Sequence, residues 1–182
     1  MDSVDYKTLT ISRGYTYSYY CGTPSPRAVA ELDPGDPPLP ALLFLHGFPT
    51  SSRIWKHQVK FFESRGFLVV ALDLLGFGGS SKPTEVDAYR SSLVCRDIVE
   101  ILDHEQLQQV IAIGHDLYVV SSLFLSHTYP FSYSGSRIVS RLSNFHSERF
   151  MAFGFISVPY CAPRPQSKID FTLKMVAFNG DH

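Results

Sequence analysis

The sequence contains few cysteines, and they are far apart. The three cysteines stand at positions 21, 95 and 161. This spacing matches neither the ligand patterns of zinc sites nor the cysteine-dense frameworks of small secreted domains. We therefore expect no metal site and no bound cofactor, and the cysteine usage is typical of a reducing compartment.

The sequence also lacks a long apolar run and a basic stripe. Hydrophobic residues make up 45% of the 182 positions, charged residues make up 18%, and the formal net charge is −1. These values are typical of one globular domain and give no reason to expect a nucleic-acid partner or a membrane span. Residues 1–5 lack the basic start and apolar core of a secretory signal, so none is expected.

Apolar runs alternate with amphipathic segments along most of the chain. Strands are predicted over 8–12 and 15–20, as a hairpin, and over 41–45, 67–72, 110–113 and 151–158, as buried strands. Helices are predicted over 51–64, with a buried side of Ile54, Trp55, Val59 and Phe62, and over 90–104. The proline-rich residues 22–40 are predicted to be a loop. Continuous apolar strands separated by helices indicate an α/β domain, a mostly parallel sheet with helices on both faces.

Polar and glycine-rich segments follow three of the predicted buried strands. His46-Gly47-Phe48-Pro49 follows the first, residues 73–80 follow the second, and Gly114-His115-Asp116 follows the third. Ligands of parallel α/β sheets bind at the carboxyl ends of the strands. We therefore expect the functional site where these three segments meet.

The order of these segments resembles the α/β-hydrolase fold, and within it the branch of epoxide hydrolases and dehalogenases. The segment from His46 to Pro49 resembles the oxyanion loop of that branch, residues 73–80 resemble its glycine-rich loop, and Gly114-His115-Asp116 resembles the first half of its nucleophile elbow. An elbow is a tight turn from strand to helix that exposes the nucleophile. The resemblance covers most of residues 5–116 and resumes near residue 135.

The resemblance implies that Asp116 is the nucleophile. An ordinary aspartate is ionised at neutral pH, and its carboxylate can attack an sp3 carbon to form an alkyl-enzyme ester. The backbone N–H groups of Phe48 and Leu117 would form the oxyanion hole, whereas His46 would orient its loop and His115 would line the pocket. Taken alone, an aspartate at this place could also be a helix N-cap.

The segment after Asp116 departs from the pattern of the family. The elbow needs a small residue two positions after the nucleophile, but Tyr118 stands there. Removing residues 118–134 joins Leu117 to Gly135, which restores the motif and leads into a helical pattern of Ile138, Val139, Leu142 and Phe145. We hypothesise that residues 118–134 are an in-frame insertion, with a translated intron as the expected source and a genuine surface insertion as the alternative.

The other groups of the family's site are not assigned in this sequence. The resemblance implies a lid with two tyrosines, an acid and a water-activating histidine, and these are expected to be missing together with the final strands. Residues 1–182 are therefore expected to form a single, incomplete α/β-hydrolase core. We expect a cytoplasmic location, with a peroxisomal one as the alternative for a complete form.

The expected substrate is a small apolar epoxide, which water converts to a vicinal diol. A dehalogenase-like hydrolase is the nearest alternative, but dehalogenases usually carry a tryptophan after the nucleophile, where Leu117 stands here. A non-catalytic remnant or binding protein with a hydrolase scaffold is the third possibility. A role in secondary metabolism is compatible with epoxide chemistry, and the sequence does not indicate an oligomeric state.

Overall fold

A computed structural model describes residues 6–31, 33, 35, 37–115, 134–157, 160 and 162. Six strands form one sheet: β1 Tyr6–Thr10, β2 Thr16–Gly22, β3 Ala41–Leu45, β4 Val69–Leu72, β5 Val110–His115 and β6 Phe150–Ile156. Their order across the sheet is β1-β2-β4-β3-β5-β6. Strand β3 pairs in parallel with β4 and β5, and β5 pairs in parallel with β6, so the predicted, mostly parallel sheet is confirmed.

The predicted hairpin is also confirmed. Strands β1 and β2 pair antiparallel, and β2 continues the sheet by pairing antiparallel with β4. The hairpin turn is closed by a hydrogen bond from the Ile11 N–H to the Tyr15 carbonyl, and Gly14 adopts a positive φ of 82° in it. A left-handed conformation of this kind is readily adopted by glycine.

Four α-helices are described, namely α1 Pro26–Ala30, α2 Lys56–Glu63, α3 Ser91–His104 and α4 Gly135–Phe145. Single 3-10 turns lie at Ser52–Trp55, Val86–Tyr89 and Ser147–Arg149. The prediction of a loop throughout residues 22–40 is wrong at α1. That helix begins with a proline in its first turn, and the Ser25 side chain caps it, which are favourable features of a helix start.

The two faces of the sheet have different cores, as expected for a sheet with helices on both faces. One face is covered by α3 and α4, whose apolar side chains Val94, Ile98, Ile101, Ile138, Val139 and Leu142 are fully buried. The other face is covered by the 3-10 turn at Ser52–Trp55 and by α2, which contribute Trp55 and Val59. Burial of these side chains is the main source of stability for both layers.

Two predicted core residues are exposed instead. Ile54 is 36% exposed, and Phe145 is 48% exposed. Residues 52–55 form a 3-10 turn before α2, so the 3.6-residue spacing that placed Ile54 inside does not apply there. Phe145 is the last residue of α4, where the helix is leaving the sheet.

A half-buried carboxylate, that of Glu105, connects the hairpin to the end of α3. Glu105 Oε1 accepts a hydrogen bond of 2.6 Å from the Tyr19 hydroxyl, and Oε2 accepts bonds from Lys7 Nζ at 2.6 Å and Cys21 Sγ at 3.3 Å. Burial alone would raise the pKa of Glu105, but these hydrogen bonds outweigh it and hold the pKa below its usual value. The pairing therefore stabilises the fold when Glu105 is ionised.

We predict that Glu105→Gln lowers the free energy of unfolding by about 1–3 kcal/mol at pH 7, since it removes the charge and leaves hydrogen-bonding groups poorly matched. Because the pKa of Glu105 is lowered in the folded state, the wild type should have its full advantage in free energy of unfolding at every pH above the unfolded-state pKa. It should disappear as the pH falls through the folded-state value, below about pH 4.5. Urea denaturation of both proteins from about pH 3 to about pH 8, a range that includes the titration of Glu105 and neutral pH, measures this difference; a pH-independent difference would contradict the prediction.

Among the described residues, no helix is long and apolar enough to cross a membrane.

Candidate functional site

The loop after β3 is held by His46, which is fully buried. Its Nδ1 lies 2.9 Å from the Gly47 carbonyl oxygen, and its Nε2 accepts a hydrogen bond of 3.0 Å from the Leu74 N–H. Burial lowers the pKa of His46, so the ring is neutral with its proton on Nδ1, donated to Gly47. Both ring nitrogens are used to join the loops after β3 and β4, and His46 therefore has the contacts of a structural residue.

The carbonyl oxygen of Gly47 fixes the turn that follows. It accepts hydrogen bonds from the Thr50 N–H at 3.1 Å and from the Thr50 hydroxyl at 2.6 Å. The Phe48–Pro49 peptide bond within this turn is cis. The Phe48 side chain is 37% exposed and meets the Phe77 ring edge-on, with 6.1 Å between the ring centroids.

Asp73 organises the glycine-rich loop after β4. Its Oδ1 accepts hydrogen bonds from the Ser52 N–H at 2.8 Å and the Ser52 hydroxyl at 2.6 Å, and its Oδ2 accepts one of 2.8 Å from the Gly79 N–H. A Cβ atom on Gly78 would lie 1.9 Å from Asp73 Oδ2, so that position requires glycine. These bonds occupy the carboxylate with backbone and loop contacts, so Asp73 has the contacts of a structural residue.

The most constrained contact of the site joins β5, β3 and the start of α4. A Cβ atom on Gly114 would lie 2.4 Å from the Gly135 carbonyl carbon. A Cβ atom on Gly135 would lie 2.0 Å from the Leu45 carbonyl oxygen and 2.9 Å from that of His46. Real Cβ atoms do not approach backbone so closely, and only glycine fits at either position. The helix therefore begins directly against the carboxyl ends of β5 and β3.

Serines secure the first turn of α4 in this place. The Ser134 side chain accepts a hydrogen bond of 3.1 Å from the Arg137 N–H, as an N-cap does. The buried Ser136 hydroxyl donates to the Gly114 carbonyl at 2.9 Å and is 3.4 Å from that of Ile156. Sequence reasoning did not find this role of Ser136, because a serine next to a glycine has no distinctive spacing.

His115 is the last residue of β5, two residues beyond the predicted end of that strand. Its ring meets the Trp55 indole edge-on, with 6.1 Å between centroids. Trp55 is only 4% exposed and packs on Phe44 at a centroid distance of 4.7 Å. Trp55 is therefore a core residue, as predicted.

The structure thus brings together five of the predicted site residues, namely His46, Gly47, Gly114, His115 and Gly135. Phe48 and Pro49 continue the loop that begins at His46. Asp116 and Leu117 lie outside the described residues, so the nucleophile and the second oxyanion donor stay predictions. In the part of the chain that the structure describes, no group of three or more His, Cys, Asp or Glu side chains is arranged to hold a metal ion.

Comparison with known proteins places this geometry in a family. A family model described as the alpha/beta hydrolase fold matches residues 40–117. Bifunctional epoxide hydrolase 2 of Mus musculus is 32% identical over 126 residues, which are 69% of this chain and 20% of that protein. Epoxide hydrolase A of Mycobacterium tuberculosis is 30% identical over 135 residues, which are 74% of this chain and 36% of that protein.

A solved structure agrees with the sequence matches. The crystal structure of an epoxide hydrolase from Vigna radiata superposes with a TM-score of 0.67 at 25% identity, covering 89% of this chain and 42% of that one. The chain has the α/β-hydrolase fold and is similar to epoxide hydrolases. This epoxide hydrolase-like chain spans less than half the length of each of these relatives, so the activity of the whole proteins comes to it only as a proposal.

We predict that Gly135→Ala lowers the free energy of unfolding by about 1–3 kcal/mol or more, because its Cβ would overlap the backbone of β3. Gly35→Ala is a suitable control, since a Cβ there meets only Asp33 Oδ1 at an ordinary 3.7 Å. Urea denaturation followed by circular dichroism measures both variants. Equal stability of Gly135→Ala and the wild type would show that the helix does not start against β3.

Proposed function

We propose that this chain carries the nucleophile of an epoxide hydrolase-type reaction and that the nucleophile is Asp116. The observation that supports this most directly is the close approach of Gly114 and Gly135 beside Leu45, since a nucleophile elbow needs a strand and a helix to meet this closely. Asp116 follows His115, the last residue of β5, directly in the sequence. The strand that precedes Asp116 in the sequence and the helix of the proposed elbow are both formed.

In the first step, a carboxylate oxygen of Asp116 attacks one carbon of the epoxide. A carbon–oxygen ester bond forms, the carbon–oxygen bond of the ring breaks, and the ring oxygen becomes an alkoxide that takes up a proton. The product is a hydroxyalkyl ester that contains every atom of the epoxide. Ring strain in the epoxide favours the opening, and no cofactor is required.

In the second step, water attacks the carbonyl carbon of that ester. The N–H groups of Phe48 and Leu117 are proposed to stabilise the negative oxygen that develops, and collapse of the intermediate releases the vicinal diol and restores the carboxylate. A general base typically accelerates such a step by roughly 10²–10⁴-fold. None of the histidines of this chain is assigned that role, so we expect the ester to accumulate.

Residues 118–134 are proposed to be an insertion into the elbow. The glycine that contacts Gly114 and the Leu45 carbonyl is Gly135. In the sequence, the position two residues after Asp116 is occupied by Tyr118. The helix of the proposed elbow correspondingly begins at Gly135, with Ser134 as its N-cap. Sequencing of the mature transcript tests the source of the segment: a message that lacks these codons supports an intron, and one that retains them supports a genuine insertion.

We predict a stable covalent adduct when the purified chain is incubated with an aryl epoxide at neutral pH. Intact mass spectrometry should show an increase equal to the full mass of the epoxide, and peptide mapping should place it on Asp116. Alkaline hydroxylamine should remove the adduct, because it cleaves esters and leaves thioethers intact. Asp116→Ala should not form it.

Cysteine alkylation is the side reaction to separate from this result. Burial raises the pKa of Cys21 to about 11 and that of Cys95 to about 12, so both are unreactive thiols at neutral pH. An adduct on Asp116 with no diol supports the proposal as stated. Diol formation with turnover would show that the chain activates water by itself, and the absence of adduct and diol would favour a non-catalytic protein on a hydrolase scaffold.

We further predict that deletion of residues 118–134 accelerates adduct formation at Asp116. The deletion joins Leu117 to Gly135, and small errors in the position of a reacting group are costly to rate. The rate is measured by intact mass over time, with Asp116→Ala in the deleted background as the control. A slower reaction in a correctly folded deletion variant would indicate that the segment belongs to the working site.

A dehalogenase-like activity is the second candidate, and the same measurement separates it. An alkyl halide would transfer only its alkyl group to Asp116 and release halide, so the mass increase would be smaller than the mass of the substrate. Leu117, which stands where dehalogenases usually carry a halide-binding tryptophan, favours the epoxide.

A further inference from the structure

Two buried polar atoms beside the site lack a protein partner. Within the described part of the chain, Trp55 Nε1 and His115 Nδ1 are the buried side-chain nitrogen or oxygen atoms that make no hydrogen bond. They belong to neighbouring rings, which meet at 88° with 6.1 Å between centroids. Two unpaired atoms in contacting side chains are unusual, because buried polar groups are nearly always hydrogen-bonded.

The free-energy cost of leaving both atoms unpaired would be large. A buried donor or acceptor without a partner has lost its hydrogen bonds to water and gains none in return. Among the described neighbours, Phe44 packs on Trp55, and Ile111 and Ile113 precede His115 on the same face of β5. These side chains have no polar group that could satisfy either nitrogen.

The two atoms are chemically complementary. An indole Nε1 can only donate, whereas an imidazole Nδ1 accepts when the proton of the ring is on Nε2. They do not bond to each other, and their ring centroids are 6.1 Å apart, so one water molecule can contact both rings. Buried water commonly occupies such places and needs at least two polar partners, which this pair provides.

We propose that Trp55 and His115 form a binding site for one buried water molecule. Trp55 Nε1 donates to the water oxygen, and the water donates to His115 Nδ1. In this arrangement Nδ1 is the accepting nitrogen of the His115 ring, and the ring N–H is at Nε2.

This water would connect two elements of the site. Trp55 ends the 3-10 turn that follows the loop of His46 and Phe48, and His115 ends β5 immediately before Asp116. A water bridge between them holds the His115 ring in a fixed position relative to the loop after β3. Trp55 and His115 are therefore positioning residues. The site itself does not depend on the proposed function, and its test needs no catalytic activity.

The experiment uses nuclear magnetic resonance of the full chain labelled with 15N. The sequence contains one tryptophan, so the single indole N–H signal belongs to Trp55. We expect a nuclear Overhauser cross-peak between this proton and water, and its sign should be that of a long-lived bound water molecule. The His115 ring should show an accepting Nδ1 and a protonated Nε2, with its signals assigned through their loss in a His115 variant.

Two results from the unchanged protein would overturn the proposal. A scalar coupling between Trp55 Nε1 and His115 Nδ1 would show a direct hydrogen bond in place of the water. A protonated His115 Nδ1 would show that the ring is turned over. An indole proton without a long-lived water contact would show that the site holds no water.

Two variants of similar size then test the role of His115. His115→Asn keeps a hydrogen-bonding group near the Nδ1 position and should retain the water cross-peak of Trp55, whereas His115→Leu should lose it. Circular dichroism establishes that each variant is folded. Persistence of the cross-peak in folded His115→Leu would show that His115 does not hold the water, and the proposal would be wrong.

Discussion

The backbone contact between β5, β3 and the first turn of α4 is the constraint on which the site depends. Gly114, Gly135 and the Leu45 carbonyl approach so closely that no side chain fits between them. This contact fixes where the helix begins relative to the strand ends, and it therefore fixes the space in which a nucleophile after β5 has to act. Apolar packing of α3 and α4 on the sheet supplies the stability that holds the contact closed.

Buried polar groups hold the surrounding loops in one arrangement. His46 bonds to the backbone on both sides of the ring, and Asp73 joins Ser52 to the glycine-rich loop. Both side chains are engaged in these structural hydrogen bonds, so neither is a candidate for acid–base chemistry. The geometry of these loops is thus maintained by residues whose contacts position the backbone, whereas the proposed nucleophile, Asp116, belongs to the segment that follows His115 in the sequence.

An insertion between β5 and α4 is compatible with this frame for a topological reason. It would enter at the carboxyl ends of the strands, where connecting segments lie on the surface and tolerate additional residues. The strand and helix on either side keep their contacts, including the Ser136 hydrogen bond to Gly114. The contacts of this frame therefore do not depend on whether the proposed nucleophile reacts.

The sequence by itself indicated where the strands lie along the chain, the mostly parallel sheet and the three segments that follow its strands, because apolar runs and glycines act locally, whereas the order of the strands across the sheet came from the structure. It also pointed to Gly135, through the interrupted motif at Tyr118. Only the tertiary structure decided that Ile54 and Phe145 are exposed, that residues 26–30 are helical, and that Glu105 joins Lys7, Tyr19 and Cys21. The same holds for the contact between Trp55 and His115, which are 60 positions apart in the sequence. Such contacts depend on how distant elements pack, and no local pattern in the sequence records them.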